Sequence, residues 1–145
     1  MKISDILRHK STDGRTEVVT ITPSETVSAL LAMLAEHNVG ALVVCADDAV
    51  VGIVSERDIV RQIADRGAAL LEAQVEQIMS TAVVSTSSQD SVDSVAETMT
   101  QRRIRHMPVI DDGRLVGIVS IGDVVSSRIR QLEADRGQLE QYIVG

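Results

Sequence analysis

Apolar residues along this chain fall into short runs and helical stripes, and the whole series occurs twice. Val18 to Ile21 predicts a strand ended by Pro23, and Thr26 to His37 a helix with Val27, Leu30, Leu31 and Leu34 on one face. Gly40 to Cys45 and Val50 to Val54 predict paired strands joined by a hairpin turn at Asp47-Asp48-Ala49, and a helix opens at Ser55. The second series runs in the same order. Val83 to Ser85 is its strand, and Ser91 to Arg103 its helix, with Val92, Val95, Ala96 and Met99 facing inward. Met107 to Ile110 and Leu115 to Val119 follow as paired strands joined at Asp111-Asp112-Gly113, and a helix opens at Ser120. The two series align without a gap at an offset of 117 − 52 = 65, from Val18 with Val83 through Val60 with Val125. Each repeat therefore reads strand, helix, strand, strand, helix, an α+β unit with a small mixed sheet. Its wholly apolar strands need cover on both faces, so two such units must pack together.

Three segments fall outside this register. Lys2 to Leu7 predicts a short amphipathic turn whose counterpart, Val75 to Met79, lies 75 − 3 = 72 positions on. The first repeat thus carries seven extra residues within Arg8 to Glu17, a polar insert with His9, Lys10, Gly14 and Arg15, expected as a solvated loop able to close over a ligand. Ala68 to Glu76 reads as a helical, rigid connection, dividing the chain into residues 1–73 and 74–145. After Asp123 the last helix overruns its partner, with Val125, Ile129, Leu132, Leu139 and Ile143 in a heptad seam interrupted at Arg136. That stripe either packs on its own domain or joins two copies of the chain.

Composition narrows the function classes. The 145 residues can bury a core without staples, and the single Cys45, matched by Ile110 in the repeat, excludes an internal disulfide and reads as a small buried hydrophobe. With no leader and no long apolar run, the chain is expected in the cytoplasm. A net charge of −7 with 1% aromatic residues removes the basic footprint and stacking platforms of nucleic-acid binders. Against this acidic background, Arg102, Arg103, Arg105 and His106 form a basic cluster able to hold an anion. Arg102 and Arg103 also suit the C-terminal end of their helix. His9 and His37 lack a second ligand at metal spacing, and no metal site is expected.

The chemistry sits where each last strand becomes a helix, in Gly52-Ile53-Val54-Ser55-Glu56-Arg57-Asp58 and Gly117-Ile118-Val119-Ser120-Ile121-Gly122-Asp123. Ser at an N-cap followed three residues later by Asp is a helix-capping pattern. The same carboxylate can accept from a vicinal diol, and the two roles are compatible.

These motifs, with Ile104-Arg105-His106-Met107-Pro108-Val109, resemble a pair of cystathionine-β-synthase (CBS) domains, the Bateman module, over nearly the whole chain. The resemblance implies two clefts related by a pseudo-twofold axis that bind adenosine-containing ligands: AMP first, with ADP, ATP, NAD or S-adenosylmethionine as others. It implies a first cleft of Ile53, Ser55, Asp58, Val84, Ser85, Ile104, Arg105, His106 and Pro108. A second would comprise Val19, Thr20, Val39, Gly40, Ala41, Val43, Ile118, Ser120 and Asp123, with Arg57 reaching in from the other side. Asp58 or Asp123 would hold ribose, and Ile104 or Val39 would flank adenine. Arg105 and His106 lead to the expectation that the first cleft prefers a phosphorylated nucleotide, while the second depends on Arg57 or the insert around Lys10 and Arg15. Ser88 in place of Pro23, and Val43 in place of Pro108, are expected to make the strand geometry of the clefts unequal.

The function expected is a non-catalytic regulatory module that signals through altered packing, commonly as a homodimer acting on another protein. Neither a nucleophile–base set nor a Gly-rich phosphate loop points to an enzyme. The rival reading is a ligand-free interaction module that dimerises through its CBS faces and C-terminal helix.

Overall fold

The computed structural model describes residues 1–12, 14 and 18–144. Its elements are α1 (Ile3–Thr12), β1 (Thr20–Ile21), α2 (Val27–His37), β2 (Ala41–Ala46), β3 (Ala49–Ser55), α3 (Glu56–Arg66), α4 (Val92–Arg102), β4 (His106–Asp111), β5 (Arg114–Ser120) and α5 (Ile121–Val144). The order of the repeats matches the periodicity of the sequence. β1, β2 and β3 form a sheet in that order, with β1 parallel and β3 antiparallel to β2. β4 and β5 pair in the same antiparallel register shifted by 65, down to a bulge at Val44/Cys45 in one repeat and Val109/Ile110 in the other. Both hairpins turn on two residues of positive φ, Asp47-Asp48 and Asp112-Gly113, the backbone that a tight hairpin requires.

The first strand of the second repeat is a correction. Val83 to Ser85 is not paired, and only Thr86 bridges to Val109, where the first repeat pairs both Thr20 with Val43 and Ile21 with Val44. Proline is the cause. Thr86 N–H donates to the Pro108 carbonyl at 2.9 Å and Ile110 N–H to the Thr86 carbonyl at 2.8 Å. Extending this parallel ladder toward Val84 would need an N–H from the residue at position 108, which proline lacks.

The two cores cross the midpoint of the chain. Ile21, Val27, Leu30, Leu42, Val44, Val54 and Ile59 pack with Leu70, Val75 and Ile78, whereas Ile3 and Ile6 pack with Val92, Val95, Met99, Met107, Val109, Val119 and Val124. The start of α1 therefore completes the second repeat, as the segment around Val75 completes the first. Matching bonds carry the exchange: Ile3 and Ser4 N–H donate to the carbonyls of Asp90 and Ser88, and Val75 and Glu76 N–H to those of Glu25 and Pro23. The connection is helical but divided into two 3-10 turns, Gly67–Glu72 and Val75–Gln77, with Gln74 extended between them.

The polar insert is also corrected. α1 continues through Thr12, so Arg8 to Thr12 is helix rather than loop; Arg15 lies outside the described residues. At the other end α5 turns Val124 and Ser127 into the protein, while Val125, Ile129, Leu132, Leu139 and Ile143 remain half or more exposed. Within one chain the heptad stripe is uncovered.

Candidate functional site

Both Ser-x-x-Asp motifs are capping boxes. Ser55 N–H donates to Asp58 Oδ2 at 2.8 Å, and Asp58 N–H to Ser55 Oγ at 3.4 Å; the Ser55 hydroxyl also bonds Asp58 Oδ2 at 3.1 Å. Ser120 N–H donates to Asp123 Oδ2 at 2.9 Å, and Asp123 N–H to Ser120 Oγ at 3.1 Å. A cap of this kind stabilises a helix by about 1 kcal/mol. It also fixes each carboxylate at the end of a sheet.

The surroundings of the two carboxylates differ. Asp123 opens on a cavity of about 710 Å³ between α1, the end of α2, the start of β2 and strand β5. Of the residues expected in the second cleft, Val19, Val39, Gly40, Ala41, Ile118, Ser120 and Asp123 line it. Thr20, Val43 and Arg57 do not. Thr20 is exposed on β1, Val43 is fully buried between Thr20 and Ile53, and Arg57 donates to the Arg103 carbonyl at 3.2 Å, capping the left-handed end of α4. Arg57 thus reaches across to the other repeat, but to a helix end.

His106, expected in the first cleft, lines this cavity instead. It stands against Gly40, where an added Cβ would lie 3.3 Å from its Cε1 and Nε2. Glycine gives the imidazole room there. Burial pushes the His106 pKa below its ordinary value, with Asp123 and Glu56 opposing and Lys10 and Arg105 assisting. Arg105 and His106 also line a second cavity of about 590 Å³ with Glu56, Ser120 and Ile121, between the two repeats. Neither cavity is lined by Ile53, Ser55, Asp58, Val84, Ser85, Ile104 or Pro108. Ile104 and Val84 pack against the second core, Pro108 is buried, and Ser85 is exposed.

The sequence pointed to the insert around Lys10 for this cleft, but not to a helix that carries Lys10 onto Asp123. Lys10 Nζ donates to Asp123 Oδ2 at 3.0 Å and to the Ile118 carbonyl at 2.8 Å, with side-chain exposures of 17% for Lys10 and 12% for Asp123. Burial opposes the charge on Asp123, but the Ser120 N–H and the Lys10 ammonium outweigh it and hold the carboxyl below the usual carboxylate range. Leu7, Ser11, His37 and Asn38 also line the cavity and were not among the residues expected there. The signal for His37 and Asn38 was their place beside Val39 and Gly40; Asn38 takes the left-handed cap of α2 at φ 51°.

The motif glycines have steric reasons. A Cβ at Gly52 would lie 2.7 Å from Met79 Sδ and 2.9 Å from the Ser80 carbonyl oxygen, and one at Gly117 would lie 2.7 Å from Leu7 Cδ2. Leu7 and Met79 are the partners at the 72-residue offset, each lying over the edge strand of its unit.

The comparisons with known proteins agree with this architecture. The CBS domain matches residues 3–65 and 75–130. The chain is 34% identical to the CBS domain-containing protein CBSX3, mitochondrial, of Arabidopsis thaliana, over 99% of this chain and 72% of that protein. A CBS-domain protein of Agrobacterium tumefaciens, ATU1752, superposes with a TM-score of 0.83 at 40% identity, over 88% of this chain and 99% of that one. The CBS domain pair of protein MJ0100, solved in complex with 5-methylthioadenosine and S-adenosyl-L-methionine, superposes with a TM-score of 0.72 at 28% identity, over 89% and 98% of the two chains. The doubled fold, the two capped Ser-x-x-Asp motifs and these matches together make the chain a member of the CBS-domain family, carrying a pair of CBS repeats.

Proposed function

We propose that this chain is a regulatory binding module, without catalysis of its own, that takes an adenosine-containing ligand in the second cleft. The observation that carries the reading is the Asp123 carboxylate, fixed by its capping box in the lining of the 710 Å³ cavity. A carboxylate offers acceptor sites enough for a ribose diol as well as its cap. Val19, Val39 and Ile118 supply apolar walls for a base, and the edges of the cavity supply backbone groups. The complex formed by MJ0100 supports the ligand class, since both of its ligands contain adenosine. AMP is the leading candidate, with ATP and NAD as alternatives. Binding signals through the packing of α1, which forms one wall of the cleft and part of the core of the second repeat.

Titration calorimetry of the ligand-stripped protein with AMP, ATP, NAD and S-adenosylmethionine tests this. Binding of at least one, weakened in Asp123→Asn, supports the proposal; no binding of any of the four overturns it.

A second reading concerns partners. The exposed stripe on α5 favours a homodimer in which two such stripes meet, with Arg136, paired with Glu140 at 3.0 Å, setting the register. That arrangement is compatible with ligand binding and would make the dimer the unit that an unidentified regulated protein senses.

A further inference from the structure

The Lys10 ammonium bonds the same Asp123 carboxylate that the proposed function gives to a ribose diol. Asp123 Oδ2 already accepts from Ser120 N–H, and Lys10 takes a further position on the same oxygen while also bonding the Ile118 carbonyl. Complementing the dipole at the end of α1 does not require these bonds, which run to residues more than 100 positions away in the chain. The pair is little exposed. A neutral ligand that displaced the ammonium would leave a poorly solvated cation without a counter-charge, which is strongly unfavourable. A ligand bringing its own anion would exchange one partner for another.

From this we infer that Lys10 is the specificity-determining residue of the second cleft, moving from Asp123 to an anionic group carried at the 5′ position of an adenosine ligand. The inference rests on the function proposed above and narrows its ligand class. Reach sets the position of the anion. Ile3 and Ile6 hold α1 in the core and Leu7 covers Gly117, so the ammonium can travel only the swing of its own four-carbon stem. A group attached directly to the ribose lies within that swing when Asp123 holds the diol. His106 lines the same cavity. S-adenosylmethionine, whose 5′ substituent is a sulfonium cation, meets Lys10 with like charge and is disfavoured. The first repeat has no such device at its edge strand, because the Ile53 carbonyl accepts from Ser80 N–H at 2.9 Å instead of from a lysine.

Calorimetric titration of the full chain and of Lys10→Met with AMP, adenosine and S-adenosylmethionine tests the inference. The wild-type protein should bind AMP at least tenfold more tightly than adenosine or S-adenosylmethionine, a ranking that needs no variant to fold. Lys10→Met should lose at least tenfold for AMP while adenosine binds as well as before or better. AMP and adenosine binding equally to the wild type, or falling equally in the variant, would overturn the role of Lys10 and leave the adenosine-binding function standing. S-adenosylmethionine binding more tightly than AMP would do the same. No binding of any of the three to either protein would overturn the role of Lys10, and the adenosine-binding function falls with it only if ATP and NAD also fail to bind.

Discussion

The two edge strands, β3 and β5, are copies of one sequence that the rest of the chain treats differently. At β3 the residue after Met79 is extended, and Ser80 pairs with Ile53 through both backbone bonds, at 3.0 and 2.9 Å. At β5 the residue after Leu7 stays helical, so no backbone arrives, and Lys10 satisfies the Ile118 carbonyl with its side chain. One edge is sealed by main chain, and the other by a group that can leave. A carbonyl on an edge strand must find a donor. Beside the edge closed by a side chain, Asp123 lines the 710 Å³ cavity.

That contrast can be broken at several points, and the largest effect is expected at the carboxylates. Asp123→Asn should weaken the binding of an adenosine ligand tenfold to over a hundredfold, the loss of a charge-assisted hydrogen bond of roughly 1.5–3 kcal/mol. Asp58→Asn should change affinity far less and act mainly on stability through its cap. Equal losses of affinity in the two variants, measured by titration, would mean that both clefts bind.

The glycines come next. Gly52→Ala pushes a methyl against the backbone oxygen of Ser80, which cannot step aside without breaking the seal on β3. It should destabilise by about 1–3 kcal/mol in a denaturant titration. Gly117→Ala meets only a methyl of Leu7, which can change rotamer, so its cost should be clearly smaller. The reverse order would show that α1 is held more rigidly than the Met79–Ser80 segment.

A third comparison sets α3, which ends at Arg66, against α5, which runs on to Val144. Truncation after Arg128 removes Ile129, Leu132, Leu139 and Ile143 and should raise the dimer dissociation constant in sedimentation equilibrium. An unchanged constant would assign dimerisation to other surfaces.

The smallest effect is expected from pH. His106 stands where the first repeat has Ala41, and burial lowers its pKa in the folded chain. The unfolded chain then binds a proton that the folded chain refuses, so stability falls as pH drops through the window just below the ordinary imidazole value near 6.5. His106→Gln should flatten a melting-temperature profile in that window. The Asp123 contribution has the opposite origin and a different place: its folded pKa is lowered, so its stabilisation is complete above the ordinary carboxylate range and is lost as the medium becomes more acidic. A profile with a single acid limb, unmoved by His106→Gln, would show that the imidazole is not excluded from protonation.

Much of the fold was legible because its signals are local and occur twice. Short apolar runs, Asp-rich hairpin turns and Ser-x-x-Asp caps depend on neighbours in sequence, and the common offset of 65 confirmed each by its copy. The unequal strand geometry was legible from Pro108, since a missing N–H is a property of one residue. Failures came where a partner lies far along the chain. Nothing local to Arg8–Thr12 shows that its continued helix rests on the second repeat, because the contacts that hold it, from Ile3, Ile6 and Leu7, are made with residues beyond position 83. Arg57 could be read as reaching across, but the acceptor it finds, the Arg103 carbonyl, exists only because α4 ends there in a left-handed cap.

By itself the sequence determined two α+β repeats, their order, their caps and the two candidate carboxylates, since periodicity and turn chemistry act over a few residues. Tertiary structure alone decided that the N-terminal helix crosses to the second repeat, that Lys10 pairs with Asp123, and that His106 faces the second cleft. Those outcomes depend on which surfaces meet once both sheets are covered, and the burial of apolar area is indifferent to distance along the chain.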